Sequence, residues 1–82
     1  MGNYKDTYYD IMSGRKDSNI RFGDLQALLD HIGFDCRIKG DHFIYYLEDM
    51  PENINIQPTG NKAKTYQIKQ IRRFFHRYGI DV

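Results

Sequence analysis

Apolar side chains recur at helical spacing in three stretches of this 82-residue chain. The clearest stretch covers residues 22–32, where one stripe consists of Phe22, Leu25, Leu28, Leu29 and Ile32. Gly33 follows as a C-terminal stop. A longer helix is predicted over residues 65–78, where the stripe consists of Ile68, Ile71, Phe75 and Tyr78. A short helix is predicted over residues 3–12, with Asn3 as its N-cap.

Between residues 33 and 58 the pattern changes to the alternation of apolar and polar residues that is typical of strands. Three strands are predicted, over residues 34–39, 42–47 and 53–57. Gly40 and Asp41 form a short hairpin turn, and Pro58 ends the third strand. The polar residues 59–64 are predicted to form a loop. In the first strand the alternation places Cys36 on the inward side with Phe34 and Ile38, as inert core.

These elements predict an α+β domain with the order α-β-β-β-α, preceded by an extra N-terminal helix. The expected architecture is a three-stranded antiparallel sheet with helices on one face. Residues 1–18 are treated as an N-terminal extension, either a helix packed against the domain or a disordered tail, and residues 19–82 as the domain itself.

Charge is distributed unevenly along the chain, although the formal net charge is only +1. Residues 1–61 carry six basic and ten acidic side chains, whereas residues 62–82 carry six basic and one acidic. The basic end is a candidate anion-binding surface. A single cysteine excludes an internal disulfide and a multi-cysteine zinc site, and it fits a reducing cytoplasm. No apolar run is long enough for a membrane span, and neither a metal nor a cofactor is predicted.

His42 opens the second predicted strand directly after the turn, with Arg37 and Lys39 just before it. An imidazole can accept a proton near neutral pH, and nearby cations can hold a phosphate. This combination suits attack of a ribose 2′-hydroxyl on its own phosphodiester. The alternative is a strand histidine with a satisfied hydrogen bond. Asp41 beside it either orients the imidazole or is simply a turn residue.

The second candidate feature is the basic approach to the last helix. Lys62 and Lys64 precede the helix N-terminus, whose free backbone N–H groups favour anions, and Lys69 and Arg73 lie within the helix. Such a surface can bind a nucleic-acid backbone by shape and charge. The alternative is a solvated basic face that keeps a small protein in solution.

The chain resembles the HicA family of toxin-antitoxin mRNA interferases. The resemblance covers about residues 19–78, and it is carried by the stretches 20–29, 33–37, 39–45, 53–58, 60–64 and 67–72. The family has a double-stranded-RNA-binding-domain-like fold, cleaves RNA with the histidine of a Gly-Ser-His motif, and pairs with a HicB antitoxin. By position, Gly40 and His42 match that motif, Asp41 replaces its serine, and Phe43 replaces a second histidine that is often present.

The resemblance implies a metal-independent endoribonuclease toxin with mRNA as substrate and a HicB-like antitoxin as protein partner. His42 would accept the 2′-hydroxyl proton, and the RNA backbone would be held by Lys39, Lys62, Lys64, Lys69 and Arg73. Two alternatives stay open. One is a non-catalytic RNA-binding module on the same fold, and the other is a protein-interaction domain whose basic patch binds an acidic partner.

Overall fold

The three predicted helices form at the predicted places. In a computed structural model that describes residues 3–82, they are α1 (Tyr4–Ser13), α2 (Phe22–Ile32) and α3 (Thr65–Tyr78). Asn3 caps α1, because its side-chain oxygen accepts hydrogen bonds from the backbone N–H groups of Lys5 and Asp6 at 2.9 and 3.1 Å. Within the described residues, none of these helices combines the length and apolar character that a bilayer crossing needs.

The three predicted strands pair in sequence order into an antiparallel sheet. They are β1 (Asp35–Lys39), β2 (His42–Tyr46) and β3 (Ile54–Ile56), with β2 in the centre. The register places Lys39 opposite His42, and Tyr45 opposite both Cys36 and Ile54. The prediction of an α+β domain with a three-stranded antiparallel sheet is therefore confirmed.

Residues 59–64, which are predicted to form a loop, contain most of a second small hairpin. Its strands are β4 (Pro58–Thr59) and β5 (Lys62–Ala63). The backbone N–H of Ala63 donates to the carbonyl of Ile20 at 2.9 Å, so this hairpin is attached to the segment before α2. Strands of two residues are too short for alternation to reveal them in a sequence.

One core joins the three helices to one face of the sheet. Its largest fully buried side chains are Ile11, Leu25, Leu28, Leu29, Ile56, Ile68, Ile71 and Phe75. Tyr8 of α1 stacks on Phe75 of α3 at 5.6 Å, and its hydroxyl donates to the carbonyl of Ile80 at 2.8 Å. The helix in the predicted N-terminal extension therefore packs against the rest of the chain.

The first strand is less buried than its alternation predicts. Cys36 is exposed and Ile38 is 62% exposed, so the prediction that Cys36 belongs to the core is wrong. β1 is an edge strand, and all five of its residues are exposed. The core reaches Tyr45 in the central strand, opposite Cys36, and stops short of β1.

Candidate functional site

His42 stands at the start of β2, directly after a two-residue turn. Gly40 in this turn has a φ of 63°, a left-handed conformation that glycine adopts without a steric penalty. The turn places Lys39 opposite His42, and directly opposed residues of an antiparallel pair project from the same face. An ammonium group and an imidazole are therefore neighbours on an exposed face of the sheet.

The imidazole of His42 is held at Nδ1, while the side chain as a whole is exposed. Its Nδ1 lies 3.1 Å from Oδ1 of Asn55. An amide oxygen can only accept a hydrogen bond, so Nδ1 is the donor in this contact, and the tautomer that makes it carries a lone pair on Nε2. The side chain is 46% exposed. This geometry presents a proton acceptor to an incoming molecule.

Asp41 connects this imidazole to the segment before α3. Its Oδ1 lies 3.9 Å from Nε2 of His42, and its Oδ2 accepts a hydrogen bond from the side-chain amide of Gln57 at 3.4 Å. The amide oxygen of Gln57 in turn accepts from Nζ of Lys64 at 3.3 Å. Asp41 is therefore placed to pair with the imidazolium that forms when Nε2 takes up a proton.

A buried amide fixes this network to α3. Gln67 is only 3% exposed, and its Oε1 accepts from the backbone N–H of Gln57 at 2.9 Å. Its Nε2 donates to the hydroxyl of Tyr66 at 3.4 Å. Both polar ends of this buried side chain are thus satisfied. The chain after β3 and the first turn of α3 are held together beside His42.

The polar side chains around His42 enclose a shallow depression of about 190 Å³, the His42 pocket. It is lined by His42, Asn55, Gln57, Tyr66, Gln67 and Gln70. A second depression of about 310 Å³, the β3–α3 groove, lies between residues 52–55 and a side of α3 that includes Gln70, Arg73 and Arg77. Asn55 and Gln70 line both depressions, so the two adjoin.

Three of the five predicted RNA-binding residues lie on this side of the molecule. Lys39 faces His42 across the strands, and Lys64 joins the network through Gln57. Arg73 lines the β3–α3 groove, where Arg77 is also present in an ion pair with Glu52. The fold therefore brings positive charge to both sides of the imidazole.

The other two predicted RNA-binding residues lie elsewhere. Lys62 belongs to β5, where it forms an isolated β-bridge with Arg21. Lys69 precedes Arg72 by one helical turn and lies close enough to Asp17 for its charge to help lower the pKa of that carboxyl. The last helix thus has two basic sides, and one of them adjoins His42.

Arg72 is committed to an ion pair within the fold. Its two terminal nitrogens donate to the two carboxylate oxygens of Asp17 at 2.8 and 2.9 Å, and Nη1 also donates to the carbonyl of Ile11 at 2.8 Å. The Arg72 hydrogen bonds lower the pKa of the Asp17 carboxyl, and the same pairing raises the pKa of Arg72. This pair fastens the linker after α1 to α3.

Sequence reasoning did not single out the polar partners of His42, although two kinds of signal were present. Asn55 and Gln57 alternate with the apolar residues of the third strand, which predicts that they share the exposed face with His42. Gln67 is a polar residue on the buried side of α3. Tyr66 carries no signal beyond its position in the first turn.

Comparison with known proteins identifies no relative. No model of a protein family matches the chain, and neither a curated protein nor a solved structure matches it. The resemblance to the HicA family and the double-stranded-RNA-binding-domain-like fold therefore stay predictions.

Proposed function

We propose that this protein is a metal-independent endoribonuclease, an mRNA interferase of the HicA type. The observation that carries the proposal is the exposed imidazole of His42, with Nδ1 3.1 Å from Oδ1 of Asn55 and Nε2 3.9 Å from the carboxylate of Asp41. Apart from the small β4–β5 hairpin between β3 and α3, the order α2-β1-β2-β3-α3 agrees with the double-stranded-RNA-binding-domain-like fold that the resemblance implies. Such a toxin acts on cytoplasmic mRNA and is inhibited by a HicB-like antitoxin.

The reaction that suits this site uses a nucleophile supplied by the RNA. Nε2 of His42 accepts the proton of a ribose 2′-hydroxyl while the 2′-oxygen forms a bond to the adjacent phosphorus. The bond from phosphorus to the 5′-oxygen of the next nucleotide breaks, and this leaving oxygen takes a proton from water. The resulting hydroxide recovers the proton from the His42 imidazolium, which restores the neutral ring. The products are a 2′,3′-cyclic phosphate and a 5′-hydroxyl. Every proton and bond is accounted for without a metal-bound nucleophile.

Cations around His42 support the binding of a phosphodiester. Lys39 is the cross-strand neighbour of His42. Its ammonium group would stabilise the negative charge that increases on the phosphate oxygens during attack. Lys64 and Arg73 lie farther along the same side of the molecule, where they would hold flanking phosphates. The positive charge thus follows the path from the His42 pocket into the β3–α3 groove.

Asp41 favours a second candidate function, a non-catalytic RNA-binding or partner-binding module. Its carboxylate lies 3.9 Å from Nε2 of His42, on the side that a phosphate would have to approach, and like charges repel. In the nuclease the same carboxylate would instead pair with the imidazolium after proton transfer. Only the cleavage rate separates these two roles.

A cleavage assay on a long single-stranded RNA in the presence of EDTA tests the nuclease. We expect the parent to cleave and to leave 2′,3′-cyclic phosphate ends. His42→Ala should cleave at least about 100-fold more slowly, because a positioned general base contributes roughly 10²–10⁴-fold. His76→Ala is the matched control, since His76 is an exposed imidazole in the last turn of α3, and it should cleave like the parent.

Equal cleavage by the parent and His42→Ala would contradict the catalytic role, and cleavage that stops in EDTA would contradict the metal-free mechanism. If neither protein cleaves but both bind RNA in a salt-sensitive way, the binding module replaces the nuclease. Asp41→Ser then tests whether the carboxylate suppresses cleavage. If the protein does not bind RNA, the remaining hypothesis is a partner-binding domain.

A further inference from the structure

One exposed aromatic ring lies within the His42 pocket. Tyr66 is 54% exposed, and it lines the pocket together with His42. Tyr9, which is 63% exposed, is a useful contrast, because it lies on α1 and its ring meets that of Tyr8 edge-on at 5.7 Å. The exposed ring of Tyr66 therefore stands out by its position beside the candidate general base.

The position of the Tyr66 ring is set by a buried neighbour. Its hydroxyl accepts a hydrogen bond from Nε2 of Gln67 at 3.4 Å, and Gln67 is itself held by the backbone N–H of Gln57 at 2.9 Å. Because Gln67 is only 3% exposed, this long contact orients the hydroxyl end of the tyrosine toward a buried amide, and the ring stays accessible. A ring held in place loses little conformational freedom when a ligand stacks on it.

The remainder of the pocket offers hydrogen-bonding groups. Gln70 lines the pocket with a donor and an acceptor, and Asn55 adds the N–H groups of an amide whose oxygen faces His42. The amide of Gln57 is already bonded to Asp41 and Lys64, so it contributes less. The volume of about 190 Å³ is well below the roughly 300 Å³ at which pockets for drug-sized ligands begin. A small flat ring with donors and acceptors along its edge, which describes a nucleobase, matches both the chemistry and the size.

We infer that Tyr66 is a nucleobase-stacking residue that binds a base next to the phosphate at His42. The base leaves its own stack, lies against the tyrosine ring, and turns its polar edge toward the pocket amides. This inference rests on the proposed function, because His42 marks the position of the phosphate. It requires the nucleotide at that position to be unpaired.

Binding of a short 2′-O-methyl RNA, whose blocked 2′-oxygen cannot attack, tests the stacking role. Tyr66→Ala should weaken binding by about 5- to 150-fold, the range that corresponds to the loss of one base-aromatic stack. Tyr66→Phe keeps the ring and should bind within about twofold of the parent, and Tyr9→Ala is the matched control with unchanged binding. The salt dependence of binding should stay the same in Tyr66→Ala, because no charge is removed.

An abasic scan of the same RNA separates stacking from a structural effect. The parent should lose affinity when one particular base is removed, and Tyr66→Ala should lose nothing further at that position. Equal binding by Tyr66→Ala and the parent overturns the stacking role while the proposed function stands. If the parent binds every abasic RNA as tightly as the intact RNA, the stacking role is also overturned, and this outcome does not depend on whether Tyr66→Ala folds. A parent that binds no RNA overturns both proposals.

Discussion

Arg72 and Arg73 are neighbours in the sequence but belong to different surfaces of α3. Arg72 is 21% exposed and donates hydrogen bonds to Asp17 and to the carbonyl of Ile11. Arg73 is exposed and lines the β3–α3 groove, which adjoins the His42 pocket. One guanidinium group is occupied by the fold, and the other is accessible to a ligand.

The difference between the two arginines follows from helix geometry. Consecutive residues of an α-helix are separated by about 100° around its axis, so they project from different sides. Recurrence at intervals of three or four residues places Tyr66, Gln70, Arg73 and Arg77 on one side of α3, whereas Lys69 and Arg72 form another. Residues 62–82 therefore carry more positive charge than RNA can contact at one surface.

Among the substitutions that test this comparison, removal of the Arg72 guanidinium should have the largest effect on stability. Arg72→Met should reduce the free energy of unfolding by about 2–3 kcal/mol, because it leaves the carboxylate of Asp17 without its partner. That carboxylate is only 12% exposed, so water replaces the lost hydrogen bonds poorly. Urea-induced unfolding of the variant and the parent measures the difference.

Arg73→Met is the matched control for the same side-chain change at the exposed neighbour. Its free energy of unfolding should stay within about 0.5 kcal/mol of the parent value, as is usual for surface substitutions. A similar loss of stability in both variants would contradict the distinction between an arginine used by the fold and one left for a ligand.

A smaller effect should appear as the pH falls. The pKa of Asp17 is lowered mainly by its hydrogen bonds from Arg72, so the folded protein binds fewer protons at this carboxyl than the unfolded chain does. The resulting stabilisation is fully present above the unfolded pKa of about 3.9 and is lost as the pH falls through the lower folded pKa. The parent should therefore lose more stability than Asp17→Asn between about pH 5 and about pH 2.5.

Asp10→Asn provides the control for that acid titration. Asp10 also lies near a cation, Lys16 at 3.6 Å, but both side chains are substantially exposed. Exposed pairs of this kind contribute little to stability, so Asp10→Asn should follow the acid profile of the parent. If Asp17→Asn followed the parent equally closely, the pair with Arg72 would not contribute in the way its geometry indicates.

Local patterns in the sequence predict most of the fold. The stripes over residues 22–32 and 65–78 and the Gly40-Asp41 turn each depend on residues close together in the chain, and all three are confirmed. The predicted inward position of Ile38 is wrong, because the exposure of this side chain depends on how far the core extends over an edge strand. Alternation indicates the face on which a side chain lies, but not whether a helix covers that face.

The candidate site is less predictable, because its contacts join distant parts of the chain. His42 could be proposed from the turn that precedes it, but its partner Asn55 is 13 residues away and depends on the register between strands. Helix geometry separates Arg72 from Arg73, but the partner of Arg72 is Asp17, which is 55 residues away. Contacts of this range follow from the packing of the elements.

The smallest expected effect tests which side of α3 faces RNA. Arg73→Gln should weaken binding of a single-stranded RNA a few-fold and reduce the slope of log affinity against log salt by about 0.7, the contribution of one phosphate contact. Lys69→Gln removes the same charge from the side near Asp17 and should leave that slope unchanged. Equal reductions would mean that RNA contacts both sides of the helix. The β3–α3 groove would then not be its only path, because a strand confined to the groove passes Arg73 and not Lys69.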